Sequence, residues 1–425
     1  MRLTTTICTS LDAVDDAELD DVTAEADVFL DRRWLRMLDT LDLAPLVRGE
    51  LSLRYVLVRE GTRLIAVCPF LVTRSRSIYY HYSLEKFFFV SWQDELVRMN
   101  PESARWSQWV VRAVNAYRAF ARAARSGIDG WVLAASPLSY RGGIAVAPVD
   151  PAAVQEAHRA VLDALKEEAQ RERLPLCFYG VDAERAELRR SLRGSGFDEV
   201  FLVYDNRLDT ELKAFDDYLA RFRSKERKSF RRDMRMVGEA GVQFTVTPDF
   251  GSLGGDFERL YETTYSKYGE EHFRHPESFW ARLERHLGPR AEAIVARNGS
   301  TVVGFASILH KGDDLWVYRI GRTDDQGQDD SPLYFSLVFY EPIKRAVALG
   351  AKRIWLSGGT WKTKRRRGAV GHPLYSYMWF PSSWSRALLM PYLSLFSQIS
   401  HAEMTKVVAP PSTPETGSPE ASGDA

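Results

Sequence analysis

Lys362, Lys364, Arg365, Arg366 and Arg367 put five cations into six consecutive residues. Gly358-Gly359-Thr360 opens this segment and Gly368 closes it. It follows Arg353-Ile354-Trp355-Leu356-Ser357, an apolar run that predicts a buried strand. Cations on a solvated helix face normally alternate with acids, and this run holds none. Cations crowded on a loop at a strand end suit an anionic ligand. Arginine forks grip phosphate or carboxylate through paired hydrogen bonds. A fixed ammonium can also stabilise negative charge that develops during a reaction. On the plainer reading the loop is merely solvated, and only Arg367 serves folding.

A second basic cluster spans residues 221–235. Lys225, Lys228, Arg232 and Arg235 fall on one face of a predicted helix over Ser224–Ala240. Such a stripe can meet nucleic-acid phosphates. It can equally be a solvated face turned to the acidic N-terminal residues, and no aromatic side chain interleaves it for base stacking. A nucleophile that must lose a proton needs a base. Asp324 and Asp325 follow a predicted strand, and Glu270, Glu271 and His272 lie between two predicted helices. Each also reads as a solvated loop residue. Tyr334 and Tyr318 could donate to a carbonyl oxygen or sit in the core. Glu271-His272-x-x-His275 lacks a third ligand, so no metal site is expected.

A chain of 425 residues needs more than one core. The apolar fraction of 45%, the charged fraction of 27% and a formal net charge of zero describe a globular protein that is not a bulk nucleic-acid binder. Cys8, Cys68 and Cys177 are too few and too scattered for a disulfide framework. Neither a signal peptide nor a bilayer-spanning run is visible, which leads to a cytoplasmic expectation. Strands and helices alternate along the chain, so the class is α/β. Leu53–Glu60 and Arg63–Thr73, split by Gly61-Thr62, read as a hairpin. The second half reads β-α-α-β-β-β-α-β, with strands at Val242–Thr247, Ala293–Asn298, Thr301–Lys311, Leu315–Gly321 and Arg353–Leu356.

That order resembles the GNAT acyltransferase fold, and the first half resembles a second, degraded copy. Tandem halves of this kind resemble the Fem-type branch, which includes peptidoglycan aminoacyl transferases. Tyr140-Arg141-Gly142-Gly143, the basic helix before Gly241-Val242, Ser331-Pro332-Leu333-Tyr334 and Lys364-x-x-Arg367-Gly368 carry the resemblance. It implies two GNAT-like domains in tandem, each a mixed β-sheet flanked by helices. The expected division is an acidic arm (1–24), a degenerate N-terminal domain (25–208) and a C-terminal domain with the presumed active site (209–386). An apolar segment (387–407) and a disordered tail (408–425) follow.

The resemblance further implies an amide-forming acyltransferase acting on an amine of a cell-wall precursor or small metabolite. Lys364, Asp324 and Tyr334 would be catalytic. Lys362, Arg365, Arg366, Arg367, Gly368, Lys225 and Arg232 would hold phosphate or substrate. An ordinary GNAT enzyme cradles coenzyme A pyrophosphate on an Arg/Gln-x-x-Gly-x-Gly/Ala loop. Residues 321–332 depart from that pattern and carry four carboxylates. No tightly bound cofactor is expected. Acyl-CoA and aminoacyl-tRNA both stand as donors, with tRNA a partner in the second case. The apolar segment suits packing on the body or at a dimer face, or peripheral contact with a membrane. The alternative function is a catalytically inactive GNAT-like binding or scaffold protein.

Overall fold

The computed structural model describes residues 3–47, 49–75, 83–85, 88, 104–265, 275–323 and 331–408. In the first half the strands are β1 (Leu3–Cys8), β2 (Gly49–Glu60), β3 (Arg63–Ser75), β4 (Gly130–Ala134), β5 (Ala145–Val146), β6 (Leu176–Asp182) and β7 (Asp198–Asp209). The second half supplies β8 (Val242–Thr247), β9 (Ala291–Asn298), β10 (Thr301–Lys311), β11 (Asp314–Arg322), β12 (Arg353–Trp355) and β13 (Val370–Trp379). The β2–β3 hairpin forms where Gly61 supplies a turn residue at φ +59°.

All these strands join one mixed sheet in the order β1-β2-β3-β4-β6-β13-β7-β12-β11-β10-β9-β8, with β5 on β3. The two halves therefore exchange strands. β13 inserts antiparallel between β6 and β7, while β7 reaches across to pair with β12. Either half alone would expose unpaired strand edges, and the exchange removes them. Residue 208 thus lies inside β7, which is hydrogen-bonded to the second half on both sides.

One sheet face is covered by α1 (Asp16–Thr23), α2 (Arg32–Asp39), α3 (Ala104–Ala123) and part of the second half. Its core is continuous across both halves, from Phe29 and Trp34 to Trp316 and Tyr318. Trp34 meets Tyr318 edge-on at 5.6 Å between ring centres. On the opposite face, α4 (Pro151–Glu172) and α5 (Ala186–Gly194) cover the first half. α4 starts at Pro151, with Asp150 accepting from Ala152 N and Ala153 N. In the second half α6 (Phe215–Ala220) and α7 (Ser224–Glu239) lie on that same opposite face, while α8 (Gly254–Tyr265) and α9 (Phe279–Leu287) belong to the shared core.

Several expectations change. Residues 3–23 are not a separate arm: β1 pairs with β2, and α1 pairs its acids with arginines of the body. Asp16 meets Arg32 and Arg36 at 2.6 and 2.7 Å, and Glu18 meets Arg59 at 2.8 Å. The last helix of the expected order is broken into α10 (Pro332–Phe335), a wider π-turn at Ser336–Tyr340, and α11 (Glu341–Leu349). The cationic segment is not a loop throughout: Trp361–Arg366 forms the short helix α12. The apolar segment lies within α13 (Ser383–Val408), whose Leu389, Leu393 and Phe396 are buried on the body. No helix of the described residues is long and apolar enough to cross a membrane. Residues 409–425 lie outside the described residues.

Candidate active site

β11 and β12 are parallel neighbours for three residue pairs only, ending at Trp316 and Trp355. β11 continues to Arg322, whereas the chain after Trp355 turns away through residues 356–360. The sheet therefore opens beside that loop. Ser357, Gly359 and Thr360 all take positive φ, at 59°, 76° and 44°. A backbone in that region costs a non-glycine residue about 1 kcal/mol or more, so something must hold it.

Lys364 holds it. Its Nζ donates to the carbonyls of Leu356 at 2.6 Å, Ser357 at 3.1 Å and Gly358 at 2.8 Å. Asn206 on β7 adds Nδ2–H to Ser357 O at 2.7 Å. Lys364 is only 4% exposed. The sequence placed this ammonium against a reacting carbonyl, whereas the structure turns it onto carbonyls of its own chain. Tyr334 on α10 reaches the same loop, its hydroxyl 3.0 Å from Thr360 Oγ1. Ser331 caps α10 by accepting from Tyr334 N, and it also accepts from Arg322 Nη1 at 2.7 Å. The Arg322 guanidinium stands 5.1 Å from the Tyr334 ring centre.

The remaining cations separate. Arg367 is buried, its guanidinium 3.2 Å from the Phe335 ring centre and 3.3 Å from Asp233 Oδ2. Tyr218 OH donates to the Arg367 carbonyl at 3.0 Å. The phosphate role expected of Arg367 gives way to locking α7 against α10. Gly368 turns the chain at φ +84°, where a side chain would press on Phe222. Lys362 and Arg366 are exposed and Arg365 is half-buried. They do not share one surface with the two buried cations, because a helix one and a half turns long points successive side chains in different directions. Lys225 and Arg232 lie exposed on α7. Asp324 and Asp325, like Glu270, Glu271 and His272, lie outside the described residues.

On the face shared by the two halves a cleft of about 790 Å³ opens over the paired ends of β11 and β12. Trp316 and Trp355 line it, with Arg141 stacked over Trp355 at 4.0 Å from the ring centre. Arg141 belongs to the Tyr140-Arg141-Gly142-Gly143 string. Its Nη1 meets Asp182 at 3.2 Å and its Nη2 meets Asp205 at 2.5 Å. Tyr140 OH donates to the same Asp205 oxygen at 3.2 Å. The backbone packing here needs glycine. A side chain on Gly142 would stand 2.3 Å from Tyr179 O, and one on Gly180, at φ +63°, 2.2 Å from Tyr140 O. Lys311 lines the cleft and pairs with Asp31 at 2.9 Å, and burial pushes its pKa down to about 8. Asp205 faces Arg141 while its neighbour Asn206 grips Ser357, so β7 ties the cleft to the loop.

A third cluster borders the same face. His275 Nδ1 lies 2.7 Å from Glu258 Oε2, and Arg319 Nε donates to His275 Nε2 at 3.3 Å. Burial holds the imidazole neutral, with its pKa lowered to about 4. Arg319 Nη2 and Tyr318 OH both donate to Leu138 O, at 3.0 and 2.8 Å. Tyr318 is thus engaged with the first half. Together these bonds fasten the turn that carries Arg141.

Residues 132–410 match the FemAB-like family model, described as peptidoglycan biosynthesis/recognition. The chain belongs to this FemAB-like family. The crystal structure of FemX covers 92% of this chain and 100% of its own, at 12% identity and a TM-score of 0.54. L-PGS from Bacillus licheniformis matches 63% of this FemAB-like chain and 82% of its own, at 12% identity and a TM-score of 0.44. A tandem GNAT protein from the clavulanic acid biosynthesis pathway matches 90% and 99%, at 10% identity and a TM-score of 0.44. Identities this low speak to fold alone, and the likeness to FemX agrees with a tandem GNAT architecture. No curated protein matches the chain.

Sequence reasoning missed Trp316, Trp355, Arg353, Asp182 and Asp205. Trp316, Arg353 and Trp355 lie in runs that read as core strands yet line the cleft, as Asp182 does, whereas Asp205 stands behind Arg141.

Proposed function

We propose that this FemAB-like protein forms an amide by transferring an acyl or aminoacyl group from an activated ester or thioester to an amine of a cell-wall precursor. The observation that carries this reading is the opening between β11 and β12, with a cleft on one side and the Tyr334–Thr360 pair beside the parted strands. The acceptor occupies the cleft and the donor carbonyl enters where the strands part. The amine nitrogen attacks that carbonyl, the C–N bond forms, and the C–O or C–S bond to the leaving group breaks. The amine loses a proton and the leaving group gains one. Tyr334 OH donates a hydrogen bond to the carbonyl or leaving group. Lys364 is a positioning residue: it fixes the 356–358 carbonyls and so the loop that presents Thr360. Arg367 and Gly368 set the exit of that loop. Lys362, Arg365 and Arg366 supply positive potential for an anionic donor, whether coenzyme A or tRNA, and Lys225 and Arg232 extend it over α7. Asp324 stands as the proposed base.

Thermal-shift titration with coenzyme A thioesters and with charged tRNA tests the donor. Stabilisation by one of them supports the reading and selects the donor. Stabilisation by neither, with product absent, favours a binding module.

A further inference from the structure

α13 turns one side to the body and another outward. Leu389, Leu393 and Phe396 are buried in the shared core. At about 100° per residue, Trp384, Leu388, Pro391, Leu395, Ile399 and Ala402 fall together on the opposite side. None of these six is charged, and Arg386 is the one charged residue from Ser383 to Ser400. Trp384 is 57% exposed and Leu395 55%. The outward side of a helix packed on a globular body normally carries charged and polar residues, so a long apolar stripe there calls for an occupant.

α3 widens the surface. Tyr117 and Tyr392 stack at 5.8 Å between ring centres, and Tyr117 OH donates to Leu388 O, so the two helices lie side by side. Phe120 is 55% exposed, with Ala113, Ala116 and Ala123 exposed on the same side of α3. The Trp384 indole N–H donates to Ala124 O at 3.3 Å. Its polar atom is thus engaged by the protein while the carbon face of the ring stands outside. A tryptophan that merely sits at a water surface does the reverse, hiding its ring and wetting its N–H.

Cations border this surface. Arg112 and Arg125 are exposed on α3 and just beyond its end, and Arg386 is exposed at the start of α13. The neighbouring acids are already held by arginines: Glu85 by Arg118 and Arg122, Asp129 by Arg122, and Asp198 by Arg386. A second copy of the chain, related by a two-fold axis, would bring such cations up against their own kind. A nucleic acid would meet the cations and leave the aliphatic stripe in water. An anionic lipid surface takes both, the stripe into its apolar boundary and the cations against its phosphates.

We propose that α13 and α3 form a docking face for an anionic lipid surface. Trp384, Leu395 and Phe120 enter the boundary between headgroups and acyl chains, and Arg112, Arg125 and Arg386 meet the headgroups. α13 lies in the plane of the bilayer and does not cross it. Docking needs neither acyl donor nor acceptor, so it stands apart from the proposed transfer reaction.

Co-sedimentation of the full chain with phosphatidylcholine vesicles, with and without phosphatidylglycerol, is the test. Binding is expected with phosphatidylglycerol present, and about tenfold or more weaker without it. The double variant Trp384→Ser, Leu395→Ser is expected to bind about tenfold or more weakly, because two apolar anchors are lost. Its urea midpoint is expected to stay close to wild type, since both side chains are mostly exposed in the fold. Failure to sediment with either vesicle, or undiminished binding by a folded double variant, overturns the inference. So does a chain that light scattering shows to be dimeric and that the double variant renders monomeric, since a second copy then covers the face.

Discussion

Replacing Lys364 with Met separates two roles for its ammonium. Among the described residues that ammonium donates to three carbonyls, Leu356 O, Ser357 O and Gly358 O. Met keeps the apolar stem and removes all three. Ser357 O retains Asn206 Nδ2, and half-buried Gly358 can recover water. Leu356 is buried, and stranding its carbonyl costs about 2 kcal/mol. Losing the charged donor from the other two adds roughly 1 kcal/mol. The expected loss is therefore about 3 kcal/mol, within what a folded domain of typical stability survives. Urea titration followed by tryptophan fluorescence measures it. Transfer activity falls as well, because Thr360 moves with the loop, but only alongside the stability loss. An ammonium acting on the substrate oxyanion gives a different pattern: stability near wild type with kcat down by about a hundredfold or more. That second pattern refutes the positioning role.

Tyr334→Phe removes a hydroxyl 3.0 Å from Thr360 and is expected to cost about 1 kcal/mol of stability while lowering kcat at least tenfold; steady-state kinetics with KM unchanged would support it. His275 has a pKa near 4 in the fold against 6.5 ordinarily, so between those values the unfolded chain takes up a proton that the folded chain refuses. Stability is then complete above pH 6.5 and falls as pH drops towards 4, by about 3 kcal/mol from this group. Urea midpoints across that range should be flatter in His275→Gln than in wild type. Gly180→Ala forces a Cβ to within 2.2 Å of Tyr140 O at a positive φ, and neither backbone can yield cheaply. A loss of roughly 3 kcal/mol or more is expected; a near-wild-type urea midpoint would contradict it.

The alternation of strand and helix was legible because apolar period and turn residues coincide, as at the Gly61 hairpin and in the 301–311 strand. The exchange of β7 and β13 was not. Nothing local in Val370–Trp379 says which edge it pairs with, since that is decided by which half offers a gap. Charge misled where burial decided. Lys364 and Arg367 look like ligand-binding cations in sequence, and become structural ones because carbonyls and the Phe335 ring surround them. The acidic N-terminal residues looked like a solvated arm because their arginine partners, Arg32, Arg36 and Arg59, stand elsewhere in the chain. The cleft tryptophans read as core and are buried, so nothing in their composition marks them as lining a cleft.

Amide formation itself is the central claim, and mass spectrometry of a single reaction tests it most directly. Purified protein is incubated with a lysine-containing peptidoglycan stem peptide and, in parallel, with an acyl-CoA mixture or aminoacylated tRNA. The account predicts a peptide heavier by one acyl or aminoacyl group on an amine with one of the two donors, formed more slowly by Tyr334→Phe. An unmodified peptide with both donors, from protein that unfolds cooperatively in urea, would contradict it.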